Sequence, residues 1–282
     1  GGDPDARIAW LGGIRPPLNQ GAAAAIYFGE RMYWLPLGLL GLAAATAVFP
    51  QFSRHAAEQR PDRLASALTA AARFVLFLAA PAAAALVLFA VPLTRLLFER
   101  GAFSTDDAVR AARVVAAYGF GVPAFCALPI ILRGFYAMGR TRTPSMLAAG
   151  IVVLNLFLNL ALVWTLAEAG LAVSTSVCAT LQAIILLAVF SRTISRIDGR
   201  SLWVAVFRTA AAVGAMAVVG SATMRALDGW NDQHGLMVRA MALLAPLSLS
   251  TAAYFAAVLC LGGRPWRMPP ETDPPDLPKT PS

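Results

Sequence analysis

Seven stretches of the chain contain no Asp, Glu, Lys or Arg: 32–53, 74–94, 114–132, 143–167, 169–191, 209–224 and 240–263. A helix needs roughly 20 residues to cross the hydrocarbon core, within a range of about 17–25. Six of these stretches come near that length. The segment 209–224 has 16 residues and reaches it only if Arg208 or Arg225 extends its charged head toward the lipid headgroups. No segment shows the two-residue alternation of strands in a membrane barrel. The pattern predicts an all-α polytopic membrane protein with about seven transmembrane helices. With their flanking apolar residues, the spans are expected over 21–50, 74–94, 110–137, 143–167, 169–191, 203–224 and 240–262.

The polar segments between these runs read as connections. Residues 51–63 end in Pro61-Asp62, a helix start with Pro in the first turn. Beyond it, Arg63, Ser66, Ala70 and Arg73 share one side, as in an amphipathic helix entry lying at the cytoplasmic surface. The segment around Phe98–Phe103, with Arg95, Arg100, Asp106 and Asp107, reads as a solvated outer loop that leads to a helix cap at Ser104 or Thr105. Residues 139–144 form a short basic turn, and 167–170 a tight hairpin. Residues 1–20 are expected to be an extracytoplasmic N-terminal segment. Residues 264–282, Pro-rich and acidic after Met268, are expected to be a disordered cytoplasmic tail. The opening Gly-Gly-Asp-Pro, without an initiator Met or a signal peptide, reads as a piece of something longer.

Composition sharpens this picture. Of 282 residues, 58% are hydrophobic and only 13% charged, about half the roughly 25% of a soluble domain. So little charge cannot wet the surface of a globule. A net charge of +8 would suit nucleic acid if the basic residues clustered on one soluble face, but they sit singly between apolar runs. The charges report topology instead. Segments 54–73, 139–142, 192–208 and the tail after 263 fall on one side and hold 13 Lys or Arg, against 8 for the segments on the other side. The positive-inside rule therefore places the C-terminus in the cytoplasm and the N-terminus outside, which itself implies upstream spans. Cys126, Cys178 and Cys260 lie in apolar runs without metal-ligand spacing, and His55 and His234 occupy separate polar stretches. No catalytic residue, metal ligand or enzymatic activity is expected. An intramembrane polyprenyl transferase would need clustered acids for Mg²⁺ and diphosphate, and the adjacent Asp106-Asp107 belong to the outer loop.

The sharpest candidate for chemistry is Glu30-Arg31, a third of the way along the apolar stretch 21–50. If 32–53 spans alone, the pair lies at the outer interface. If 21–28 is also membrane helix, the pair lies at membrane depth, where charge faces a polar cavity and marks a substrate or ion path. Arg suits phosphate, because its planar fork of donors grips two oxygens. Pro36, Gly38 and Gly41 would loosen or bend this helix. Asn155 and Asn159, at i and i+4 on one helix face, either bind a neighbouring helix or contact an ion or substrate. Thr175 and Ser176 either add oxygens to that site or bond back to their own helix.

Several of these motifs, taken in order, resemble the MurJ/MviN family of lipid II flippases. Tyr27-Phe-Gly-Glu-Arg-Met-Tyr-Trp-Leu-Pro36 followed by Pro50-Gln-Phe-Ser-Arg54 is similar to the family's eighth helix. Leu97-Phe-Glu-Arg-Gly-Ala-Phe103, Gly134-Phe-Tyr136 with Thr141-Arg-Thr-Pro144, and Asn155 and Asn159 before Gly170-Leu171 follow in the family's order. The resemblance implies the C-terminal lobe of a fourteen-helix transporter of the MOP exporter superfamily in the bacterial inner membrane. Its partners would be lipid II or a similar polyprenyl-diphosphate-linked substrate, membrane lipids and the N-terminal lobe. It implies that Arg31 holds the substrate's diphosphate and that Glu30 stands beside it. Asn155, Asn159 and Thr175 match positions that form a sodium site in some members, where the position of Asn159 is an aspartate. A monovalent cation is thus the one cofactor the resemblance brings in. A related exporter of another lipid-linked sugar or of drugs, and a non-transporting membrane scaffold, are the competing readings, since fold does not fix substrate.

Overall fold

The computed structural model describes residues 18, 21–99, 103–227 and 236–262. The N-terminal segment 1–20, Leu18 apart, and the tail 264–282 lie outside the described residues. Among the described residues the chain is helical with short turns and has no strand. Seven helical stretches of the described residues are long and apolar enough to cross a membrane.

The first of them is a continuous 36-residue stretch, Ala22–Ala57. It comprises α1 (Ala22–Pro36), a π-helical turn at Leu37–Leu42, and α2 (Ala43–Ala57). The break in α-helical pitch follows Pro36, whose missing N–H and bulky ring disrupt the i→i−4 ladder. Of the two glycines there, Gly38 has open space around it. Gly41 presses on the next span so closely that a Cβ would sit 2.8 Å from the Cα of Cys126. The Cys126 thiol also donates to the Pro36 carbonyl at 3.6 Å. The π turn is thus anchored on one side and open on the other.

α3 (Pro61–Leu88) starts with Pro at its first turn and Asp62 beside it. Residues 61–73, expected as an amphipathic helix entry at the cytoplasmic surface, are the first turns of this span. Leu64, Ala65, Leu68 and Ala71 on their other side are buried in the main core, and that burial holds the segment upright against its neighbours. The expected span 74–94 likewise ends early. The chain turns at buried Phe89 into a short α4 (Ala90–Phe98). The Thr94 hydroxyl, 2.9 Å from the Ala108 carbonyl, ties α4 to the start of the next helix.

α5 (Thr105–Ala137) is the axis of the bundle and the most buried of the spans. Ser104 and Asp107 form a reciprocal capping box at its start, each satisfying the other's backbone N–H. α1, α3 and α7 pack around it. α6 (Arg142–Leu166) and α7 (Glu168–Thr193) form a hairpin joined at Ala167 alone, which takes a φ of 50°. Gly170 closes that hairpin, since a Cβ there would lie 2.5 Å from the Leu162 carbonyl oxygen. α6 turns most of its apolar surface outward, and within it only Pro144 and Ile151 are buried.

α8 (Gly199–Leu227) and α9 (Leu236–Cys260) pair with each other and join the bundle through α3. Phe77, Ala84, Ala212, Met216, Tyr254 and Val258 form that joint. One bond within it has a covalent cause. Pro81 in α3 has no N–H to offer the Phe77 carbonyl four residues earlier. The Tyr254 hydroxyl supplies the missing donor at 2.7 Å.

Candidate functional site

The site begins with how α1 meets α5. Ala22, Ala25 and Gly29 form the buried side of α1. Gly29 is required by the fit, because a Cβ would lie 2.5 Å from Val114 Cγ1. With the helices this close, Tyr33 stacks between Tyr118 and Phe125, with ring centroids 4.7 and 4.9 Å away. Glu30 emerges on the flank of the same contact, where the Tyr118 hydroxyl donates to its Oε1 at 3.3 Å.

Arg31 points elsewhere. Its Nη2 donates to the Tyr27 hydroxyl at 2.6 Å, and its guanidinium carbon lies 4.9 Å from the centroid of the Tyr27 ring. Both side chains are exposed, as are Trp34, Leu35 and Leu39 further along the same helix. Arg31 is therefore the one charge on an apolar and aromatic strip of α1. Its partner is a neutral phenol one helical turn away, and Glu30, its neighbour in sequence, is held by another helix.

Depth follows from helix geometry. Gly21, at the start of α1, sits beside Asp107 and Arg110 of the capped end of α5. At 1.5 Å per residue, Arg31 lies about 15 Å further along α1. That is close to half of a hydrocarbon core about 30 Å thick.

Asn155 and Asn159 come together with a residue the sequence did not single out. Asn159 Nδ2 donates to Asn155 Oδ1 at 3.0 Å, Asn155 Nδ2 reaches the Ser174 hydroxyl at 3.4 Å, and that hydroxyl donates to Asn159 Oδ1. The three side chains close a ring between α6 and α7. Thr175 does not join them; its hydroxyl donates to its own helix at the Leu171 carbonyl, 2.9 Å away. Ser176 reaches the other neighbour and donates to the Ala117 carbonyl of α5 at 2.8 Å. Each amide oxygen in the ring accepts from a ring partner, which makes the ring a clasp between two helices. Among the described residues no three His, Cys, Asp or Glu side chains gather in a group that could hold a metal ion.

Two contacts of charged residues go beyond the sequence reading. Arg110 Nε donates to Glu168 Oε1 at 2.7 Å, joining the starts of α5 and α7, with the Glu168 side chain 8% exposed. The residues stand 58 apart in sequence, and only the packing of α5 on α7 reveals the pair. Tyr27 is different. Its i, i+4 spacing to Arg31 was readable on a helical wheel.

The comparisons with known proteins point one way. The family model described as "Lipid II flippase MurJ" matches residues 8–244. A probable lipid II flippase MurJ from Rhizobium meliloti is 34% identical over 251 residues, covering 87% of this chain and 46% of that protein. One from Vibrio cholerae is 31% identical over 250 residues, covering 88% of this chain and 47% of that protein. Among solved structures, "Lipid II flippase MurJ, inward closed conformation" superposes with a TM-score of 0.62 at 18% identity, covering 86% of this chain and 49% of that one. At that identity the superposition shows the fold. The chain spans about half the length of the curated relatives it matches. With the family model matching most of its length and seven apolar helices to cross the bilayer, the chain belongs to the lipid II flippase MurJ family, multi-pass proteins of the bacterial inner membrane.

Proposed function

We propose that this chain is the C-terminal lobe of a lipid II flippase. It works with the N-terminal lobe of the same transporter to carry the precursor from the cytoplasmic to the outer leaflet by alternating access. The observation that carries this reading is Arg31, a permanent charge about 15 Å into a span, on a face of α1 that no other part of the described chain covers. Charge at such depth is retained where it faces a polar cavity. The guanidinium fork grips two oxygens of the diphosphate, and the Tyr27 hydroxyl, already in contact with Arg31, adds a donor on the same strip. Glu30 is held by Tyr118 and so leaves Arg31 unneutralised. The polyprenyl tail stays in lipid throughout, and no covalent bond is made or broken.

Alternating access needs an element that bends. The π turn at Leu37–Leu42, open at Gly38 and pinned at Gly41, lies directly beyond the binding strip. In this reading the Asn155–Asn159–Ser174 ring holds α6 to α7 and no cofactor is assigned. The excess of Arg on 54–73, 139–142, 192–208 and the tail supports a cytoplasmic C-terminus.

The test is complementation of a flippase-depleted bacterium by the two-lobed transporter at matched membrane levels. Arg31→Ala and Arg31→Lys are both expected to fail, because lysine keeps the charge and loses the fork. Normal growth with Arg31→Ala overturns the assignment. Growth with lysine but not alanine keeps the charge requirement and discards the bidentate grip.

A further inference from the structure

At the far end of α5 from Arg110, two adjoining hollows open between the first turns of α3 and α8. One, of about 310 Å³, is lined by Arg73, Arg200 and Arg208, with Phe77, Val204 and Val258 as its apolar wall. The other, of about 320 Å³, adds Arg196 and Asp62, and the two share Arg73, Asp198 and Ser201. Four arginines thus face two aspartates, and both acids are engaged locally. Asp198 Oδ1 accepts the Ser201 N–H at 3.0 Å as the cap of α8. Asp62 Oδ1 accepts the Ser195 hydroxyl at 2.6 Å.

The arginines keep unused donors. Arg73 Nη1 donates to the Ser201 hydroxyl at 2.8 Å, while its buried Nε has no partner among the described residues. A buried N–H left unpaired is costly, so its place in a basic crevice marks a missing acceptor. Among the described residues, Arg208 reaches the Gly262 carbonyl, at the long distance of 3.5 Å. The first turn of α8 adds its N-terminal dipole, which favours an anion.

The surroundings say what kind of anion. Trp203 and Phe207 stand exposed on α8, between Arg200 and Arg208 in sequence, with ring centroids 6.2 Å apart. Exposed aromatics on a spanning helix mark the boundary between headgroups and hydrocarbon. A soluble phosphate has no use for the apolar wall of Phe77, Val204 and Val258, whereas the glycerol and first methylenes of a lipid do. Basic pockets between transmembrane helices are suited to anionic headgroups.

We propose that the α3–α8 crevice binds the phosphate of an anionic phospholipid, as an anion site separate from Arg31. Arg73, Arg200 and Arg208 hold the phosphate oxygens, and the apolar wall receives the glycerol end of the chains. The site is independent of what the protein transports.

Native mass spectrometry of the intact protein, released from uncharged detergent micelles, tests this with dioleoyl phosphatidylglycerol and dioleoyl phosphatidylcholine. One phosphatidylglycerol is expected to remain bound with a preference of about tenfold or more over phosphatidylcholine, whose phosphate carries a choline cation that the crevice's arginines repel. In the double variant Arg200→Gln/Arg208→Gln, whose altered side chains are exposed, retention should fall to the phosphatidylcholine level at an unchanged melting temperature. Should the pair of changes lower the melting temperature, the single variants carry the test, each expected to lose part of the preference. Equal retention of both lipids by the parent protein, or undiminished phosphatidylglycerol binding by the variants, overturns the proposal. Displacement of the lipid by an equimolar amount of inorganic phosphate overturns it too, since the crevice would then read the ion alone.

Discussion

The α5–α7 interface and the outer face of α1 treat charge in opposite ways. At the first, Arg110 and Glu168 meet at 2.7 Å and each neutralises the other. At the second, Glu30 and Arg31 are adjacent in sequence and yet part company, one toward Tyr118 and the other toward Tyr27. Glu168 also opens α7, where a negative charge meets the positive end of the helix dipole. The closed pair satisfies its own charges and leaves nothing for a ligand. The parted pair leaves a cation exposed inside an apolar stretch, an arrangement that stability alone does not account for. A charge at membrane depth is informative when its neighbours decline to neutralise it.

The largest effect on stability is expected at the closed pair. Glu168→Ala leaves Arg110 mostly buried beside a lost partner, and breaking such a pair costs about 3 kcal/mol. Thermal unfolding in detergent should show a clear drop in midpoint for Glu168→Ala. For Glu30→Ala the change should stay within about 1 kcal/mol, since a single long hydrogen bond is removed. Equal losses at the two sites would erase the distinction between them.

Much of this contrast could not be read along the chain. The number of spans was legible, because apolar length is a property of composition within a window. The Glu30-Arg31 anomaly was legible for the same reason, and so was the shared face of Asn155 and Asn159. Partnerships between helices were not. Whether Ser174 or Thr175 completes the asparagine ring depends on the rotation of α7 about its axis, set by contacts such as Ser176 on the Ala117 carbonyl. The break at Phe89 hid inside a charge-free run because hydropathy carries no record of backbone direction. Residues 61–73 appeared amphipathic by charge alone, while their buried side was made of Leu and Ala that fit either a surface helix or a packed one.

A neutral bond inside the bundle sharpens the comparison at an intermediate scale. Tyr254→Phe removes the donor that Pro81 denies to the Phe77 carbonyl, at an expected cost of about 1–2 kcal/mol. Pro81→Ala in the same background restores a backbone N–H four residues from Phe77 and should recover most of the loss. The same change with Tyr254 intact should do little. Additive effects in this double-mutant cycle would sever the link between the proline and the tyrosine.

The smallest effect on stability, and the finest probe of the open site, is expected from Tyr27→Phe. The phenylalanine ring preserves the cation–π contact over which Arg31 lies 4.9 Å from the centroid. It removes the hydroxyl that accepts from Arg31 at 2.6 Å. Both side chains are exposed, so the lost bond should be worth less than about 1 kcal/mol of stability. Two consequences follow if Arg31 serves a substrate. The guanidinium loses the group that fixes its orientation, and a bound phosphate loses the donor that the phenol would offer. Substrate affinity should therefore fall by about tenfold or less, one hydrogen bond's worth, while the melting midpoint stays put. Binding of a polyprenyl-diphosphate lipid to the two-lobed transporter, titrated for parent and Tyr27→Phe at equal protein, measures it. A stability loss without an affinity loss would make Tyr27 and Arg31 a structural pair like Arg110 and Glu168, and the contrast between the two regions would fail at its open end.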